Sequence, residues 1–141
     1  DFATFQALAD LPMGMTGHLM FPAFDRDRVS TLSPAVIGEV IRGHIGFDGL
    51  LMSDDLSMQA LGGSIGERAA GSISAGCDIA LHCNGEAAEM EQVIANVPDL
   101  ADWALVRAEA VVAESASALA DAEPLDMDAA ASQLEALLDD G

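Results

Sequence analysis

From Leu11 to Cys83, short apolar runs alternate with longer segments whose apolar residues recur at helical spacing. That alternation is expected of parallel strands joined by crossover helices, and the predicted order is βαβαβ. The first strand is Met13 to Met20 (MGMTGHLM), with Pro22 and the Asp25 to Asp27 cluster marking a loop after it. Ser33-Pro34 starts a helix, Ser as N-cap and Pro at the first helical position, and Val36, Ile37, Val40, Ile41 and Ile45 line one face of it. Gly43 and Gly46 bracket its end, and Phe47-Asp48-Gly49 turns into a second strand near 50–54. Leu50 to Ser53 reads as buried on both sides, as a central parallel strand is. Gly62-Gly63 breaks the chain, Ser64 and Glu67 form a capping box for a helix to about Ala75, and Gly76 closes it. A third strand, near 78–82, ends at Cys83-Asn84-Gly85.

Beyond Gly85 the pattern changes to Ala-rich helices, near Glu86 to Ala95, Leu100 to Ala120 and Asp126 to Asp140, separated by Asn96-Val97-Pro98 and Glu123-Pro124. The chain therefore reads as a β/α part, 1–84, and a helical part, 85–141, packing on it. With 51% apolar residues, 141 residues can bury a core. Charge is uneven: Asp1 to Cys83 holds ten acids and four arginines, Asn84 to Gly141 fourteen acids and one arginine, and there is no Lys. A net charge of −19 argues against nucleic acid, whose phosphates require clustered cations, and against anionic membrane surfaces. The acidic tail reads as a solvated surface. Cys77 and Cys83 flank the third strand in an apolar region and are expected to be buried free thiols. Asp1-Phe2-Ala3 lacks an initiator Met, so a truncated chain is expected and the missing targeting segment carries little information.

In parallel α/β proteins, ligands gather beyond the carboxyl ends of the strands. That selects His18, the pair Asp54-Asp55, and His82 with Asn84. Two adjacent carboxylates after a buried strand cost desolvation and mutual repulsion unless something uses or pairs them. Spacing alone leaves catalytic and structural roles open for them, and alternation of side chains admits at most one as the reacting group. For His18 and His82 a hydrogen-bonded structural role competes with a functional one, and His44 belongs on a helix surface. A metal set of His18, Asp54 and His82 has the right residue types but no close ligand spacing, so no metal or cofactor is expected. Gly62-Gly63-Ser64 suits a helix-starting loop better than an anion site, and no GxSxG elbow occurs.

Two segments carry a family signature: MTGHLMFPAFD (Met15 to Asp25) and LSPAVIGEVIRGHIGFDGLLMSDDLSMQAL (Leu32 to Leu61). Together they resemble the bacterial cytoplasmic β-N-acetylglucosaminidases of glycoside hydrolase family 3, which recycle cell-wall muropeptides. The specific part is GFDG-x-x-x-SDDLSM, Gly46 to Met58, and the resemblance covers about Asp1 to Asn84. It implies the C-terminal portion of a (β/α)8 barrel, with the strands read above as its last three. It further implies Asp54 as the nucleophile of a retaining mechanism, Asp55 as a loop-shaping neighbour, and His18 near the substrate as a binding residue. The family's general acid/base His, its Lys-His pair and its Arg lie upstream of this region and are absent here. A barrel needs about 200 to 250 residues, so the upstream half of the same barrel is expected to be required and this chain alone to be inactive. The alternatives are a non-catalytic half-barrel that binds a sugar or partner, and a metal-dependent hydrolase.

Overall fold

A computed structural model describes residues 2–122 and 126–139. The chain divides into two compact units, Asp1–Val111 and Val112–Gly141. In the first, a short helix α1 (Ala3–Gln6) precedes β1 (Met13–Met15), and β1 pairs in parallel with β2 (Leu50–Met52), Met13 opposite Leu50 and Met15 opposite Met52. Helix α2 (Ile65–Ala75) then leads to a single parallel bridge between Ile79 and Met52. Three consecutive stretches thus lie side by side in chain order, each pair joined by a helical crossover, as the βαβαβ pattern requires.

The strands are shorter than the hydrophobic pattern suggests. The first, expected over 13–20, stops at Met15 because Gly17 to Met20 give their hydrogen-bonding groups to the segment around a 3-10 turn, Ser30–Leu32. Ser30 N–H donates to the Leu19 carbonyl at 2.8 Å, its hydroxyl donates to the Gly17 carbonyl, and Met20 bridges Val29 in antiparallel fashion. The second, expected over 50–54, ends at Met52. The third, expected over 78–82, shrinks to the Ile79 bridge because a side chain replaces the main chain in the ladder: Leu81 N–H donates to Ser53 Oγ at 2.9 Å.

The helical start at Ser33-Pro34 is realised, with Val36 N–H donating to Ser33 Oγ at 3.2 Å. Over Val36–Ile45, however, the chain winds as a π-helix rather than the α-helix expected from its periodicity. Gly43 permits the wider winding, since a Cβ there would lie 3.2 Å from the Gly38 carbonyl oxygen. The expected apolar face survives: Ile37 is buried with Phe47, Leu51, Ala75 and Cys77, and Ile41 and Ile45 pack on that cluster. A second cluster, Leu56, Leu61 and Ala69, closes under Val29, Leu32, Ala80, Val93 and Val97.

Helix α2 begins with the expected capping box, Ser64 Oγ accepting from Glu67 N–H while Glu67 Oε2 accepts from Ser64 N–H at 2.8 Å. The carboxylate thereby occupies the helix N-terminus, so Gly62-Gly63-Ser64 is a helix-starting loop. Helix α3 (Ala87–Asn96) packs on α2 at Gly66, where a Cβ would fall 2.5 Å from Asn96 Nδ2. Helices α4 (Asp102–Asp121) and α5 (Met127–Asp139) complete the helical tail, α5 within the second unit. Among the described residues no helix is long and apolar enough to cross a membrane.

Candidate active site

Parallel pairing brings the carboxyl ends of the three stretches together. Thr16 follows β1 and stays in register, its N–H donating to the Met52 carbonyl at 3.0 Å. Beyond β2 come Ser53, Asp54 and Asp55, and beyond Ile79 come Leu81, His82 and Cys83. The loop of Asp54 and Asp55 is therefore held from both sides: Asp54 N–H donates to Thr16 Oγ1 at 3.3 Å, and Cys83 N–H donates to Asp55 Oδ1 at 3.1 Å.

The two carboxylates have opposite fates. Asp55 Oδ1 also accepts from Ser57 N–H at 3.0 Å, and its Oδ2 accepts from the Ser57 hydroxyl. Burial pushes the Asp55 carboxyl up, but the Ser57 hydroxyl and amide and the Cys83 amide outweigh it and hold the group below its ordinary value. Asp55 is consequently an ionised anchor with both oxygens engaged. Asp54 accepts only from Asp55 N–H, at 2.8 Å through Oδ1. Its Oδ2 has no hydrogen-bond partner among the described residues, and the side chain is half-buried.

His18 is engaged at both ring nitrogens. Nε2 donates to the Asp55 carbonyl at 3.0 Å, and Nδ1 lies 2.8 Å from Thr31 Oγ1. A carbonyl can only accept, so Nε2 carries a proton, and the Thr31 hydroxyl beside Nδ1 also lies 3.3 Å from the Gly17 carbonyl oxygen. Both ring nitrogens of His18, expected to lie near the substrate, are thus engaged within the chain, one of them on the double-acid loop. His82 turns to α3, its Nε2 donating to Glu89 Oε2 at 2.7 Å, and its buried Nδ1 is without a partner among the described residues. His18, Asp54 and His82 are not gathered as a metal site: among the described residues no group of three or more His, Cys, Asp or Glu is placed to hold an ion. His44 is exposed, as its helix position implied.

Both thiols are free, but only Cys77 is buried; Cys83, expected to be buried too, lies exposed past the strand end. Burial pushes the Cys77 thiol up to about 12, with the Asp78 carboxylate adding to it, which leaves it unreactive. Sequence reasoning missed Thr16, Thr31 and Ser57. Thr16 had a legible signal, since it precedes His18 by two residues and so shares its face of an extended chain. Thr31 had none, because only the return of the loop to Gly17 places it here.

Residues 1–118 match the glycosyl hydrolase family 3 N-terminal domain. The chain belongs to that family. The family 3 domain is of the TIM-barrel type, and this chain shows a small parallel sheet with helical crossovers from it. A curated β-hexosaminidase of Alkalilimnicola ehrlichii is 40% identical over 114 residues, covering 76% of this chain and 32% of the relative. The chain thus spans about a third of the length of that curated relative. Among solved structures, the family 3 β-N-acetylglucosaminidase of Paenibacillus sp. str. FPU-7 superposes with a TM-score of 0.66 at 29% identity, over 82% of this chain and 24% of that one. The β-N-acetylhexosaminidase of Beutenbergia cavernae gives 0.60 at 30% identity, over 77% of this chain and 36% of that one.

Proposed function

We propose that this chain is the nucleophile-bearing part of a retaining β-N-acetylhexosaminidase, with Asp54 as nucleophile. In the whole protein, a cytoplasmic enzyme by this reading, a terminal β-linked N-acetylglucosamine is removed from muropeptides or chitooligosaccharides. The observation that carries the assignment is the contrast between two neighbouring carboxylates. Asp55 spends both oxygens on Ser57 and Cys83, whereas Asp54 keeps Oδ2 free at the tip of β2. An attacking carboxylate needs one oxygen free to bond the anomeric carbon while the other holds the group in place. The hydrogen bond from Asp55 N–H to Asp54 Oδ1 does the holding.

The chemistry runs in two displacements. Asp54 Oδ2 forms a glycosyl ester as the leaving oxygen takes a proton from a general acid, and water, deprotonated by the same group, then releases the sugar and the carboxylate. No residue of this chain is assigned as that acid/base, which belongs to upstream sequence of the same barrel. Support for an upstream half comes from β1 and the segment after it, where Met13, Met15 and Leu19 are exposed beside an apolar cavity of about 340 Å³. An open strand edge over an uncovered apolar hollow is a surface on which further barrel strands pack.

The test is turnover of an aryl β-N-acetylglucosaminide by the full-length protein that carries this sequence. Asp54→Ala abolishes it, by about a thousandfold or more, while Asp55→Asn leaves measurable activity. Wild-type rates in the Asp54 variant end the assignment.

A further inference from the structure

The Asp54-Asp55 peptide is gripped at both ends by one continuous set of hydrogen bonds. We infer that Thr16, Thr31 and His18 form a clamp that aims the Asp54 carboxylate, so that His18 is a positioning residue rather than a sugar ligand. This rests on Asp54 being the nucleophile.

The direction of the proton is fixed at both ends of the clamp. At one end Asp54 N–H must donate, and it donates to Thr16 Oγ1 at 3.3 Å. At the other end the Asp55 carbonyl must accept, and it accepts from His18 Nε2 at 3.0 Å. Between them, Thr16 Oγ1 and Thr31 Oγ1 are 2.7 Å apart, and Thr31 Oγ1 is 2.8 Å from His18 Nδ1. Thr31 Oγ1 is also 3.3 Å from the Gly17 carbonyl oxygen, which can only accept, so its one proton serves that carbonyl or His18 Nδ1, and the two threonine hydroxyls are joined whichever of them donates. Thr31 is fully buried and Thr16 nearly so, so neither hydroxyl has water as an easy alternative partner. An orphaned hydroxyl at either position leaves a buried polar group unpaired, which favours the intact chain of bonds.

Two consequences follow for the proposed chemistry. First, the clamp fixes the backbone at Asp54 N and at Asp55 O, which restricts the dihedral angles that set where Oδ2 points. Second, it does so through the main chain: the clamp bonds Asp54 N–H and the Asp55 carbonyl and leaves the Asp54 carboxylate oxygens to the Asp55 amide and the substrate.

The experiment uses the full-length protein and four variants. Thr31→Val removes the hydroxyl at nearly constant volume and Thr31→Ser keeps it; His18→Gln keeps an N–H that can reach the Asp55 carbonyl and His18→Leu does not. Expected are a fall in kcat of about tenfold to a hundredfold for Thr31→Val, with KM little changed, near-complete recovery in Thr31→Ser, and His18→Gln well ahead of His18→Leu. A fluorinated glycosyl fluoride that accumulates the covalent intermediate, read by peptide mass spectrometry, should label Asp54 in the wild type and label it more slowly in Thr31→Val. Label on Asp54 together with unchanged kcat in Thr31→Val overturns the clamp alone, as does a Thr31→Ser defect equal to that of Thr31→Val. If Thr31→Val does not fold, the His18 pair decides: equal rates for Gln and Leu overturn the clamp. Label on another residue overturns the nucleophile assignment itself.

Discussion

Asp54 and Asp55 are the same residue type one position apart, and only their neighbours distinguish them. Asp55 collects two amides and a hydroxyl, whereas Asp54 collects one amide. The difference has a measurable acid signature. Burial raises the Asp55 carboxyl, the Ser57 and Cys83 hydrogen bonds outweigh it, and the folded group titrates below its ordinary value of 3.8. A carboxyl depressed on folding contributes stability that is complete above the ordinary value and is lost as the pH falls through the folded one. Urea midpoints measured at neutral pH and at about pH 3 should therefore converge in Asp55→Asn relative to the unaltered chain. Equal acid sensitivity of the two proteins contradicts the anchor role.

At the scale of elements, Asp78 is the junction on which β2, the end of the π-helix and α4 meet. Its Oδ2 accepts from Leu51 N–H and from Arg42 Nη2, each at 2.8 Å, and its Oδ1 accepts from Arg107 Nη1 at 3.1 Å. Arg42 in turn donates to the Phe47 and Gly49 carbonyls, and Arg107 to the Asp48 carbonyl. Asp78 is 7% exposed at its side chain, so removing it takes a carboxylate partner from two guanidinium groups and leaves a core amide without its acceptor. Asp78→Ala is expected to cost about 3 to 5 kcal/mol, and Asp78→Asn less, because an amide oxygen still serves Leu51 N–H. Denaturant titration with equal losses for the two variants would show that Leu51 N–H does not need this acceptor. Nothing in the sequence marked Asp78 as more than a strand's first residue: its partners, Arg42 and Arg107, lie 36 and 29 positions away.

For the molecule as a whole, the dominant feature of the first unit is apolar surface around β1. Phe5, Leu8, Leu11, Met13, Met15 and Leu19 are exposed, and all six line the same hollow. A preparation of these 141 residues alone is expected to self-associate through that edge, as sedimentation velocity would show, and Met15→Lys to reduce the association. A monodisperse monomer across the micromolar range would count against an open edge.

The sequence by itself determined the order of elements, the helix starts at Ser33-Pro34 and Ser64, the apolar faces and the family, because these depend on local spacing and on runs of adjacent residues. It also placed Asp54 at a strand tip. Tertiary structure alone decided where the strands stop, since Ser53 and the Ser30–Leu32 turn take over ladder hydrogen bonds from a distance. It likewise decided which carboxylate keeps a free oxygen and what His18 holds. The Ser57 bonds to Asp55 are local, but the Cys83 amide on Asp55 and the contacts of His18 and Thr16 join residues 13 to 38 positions apart, whose partners no local pattern encodes.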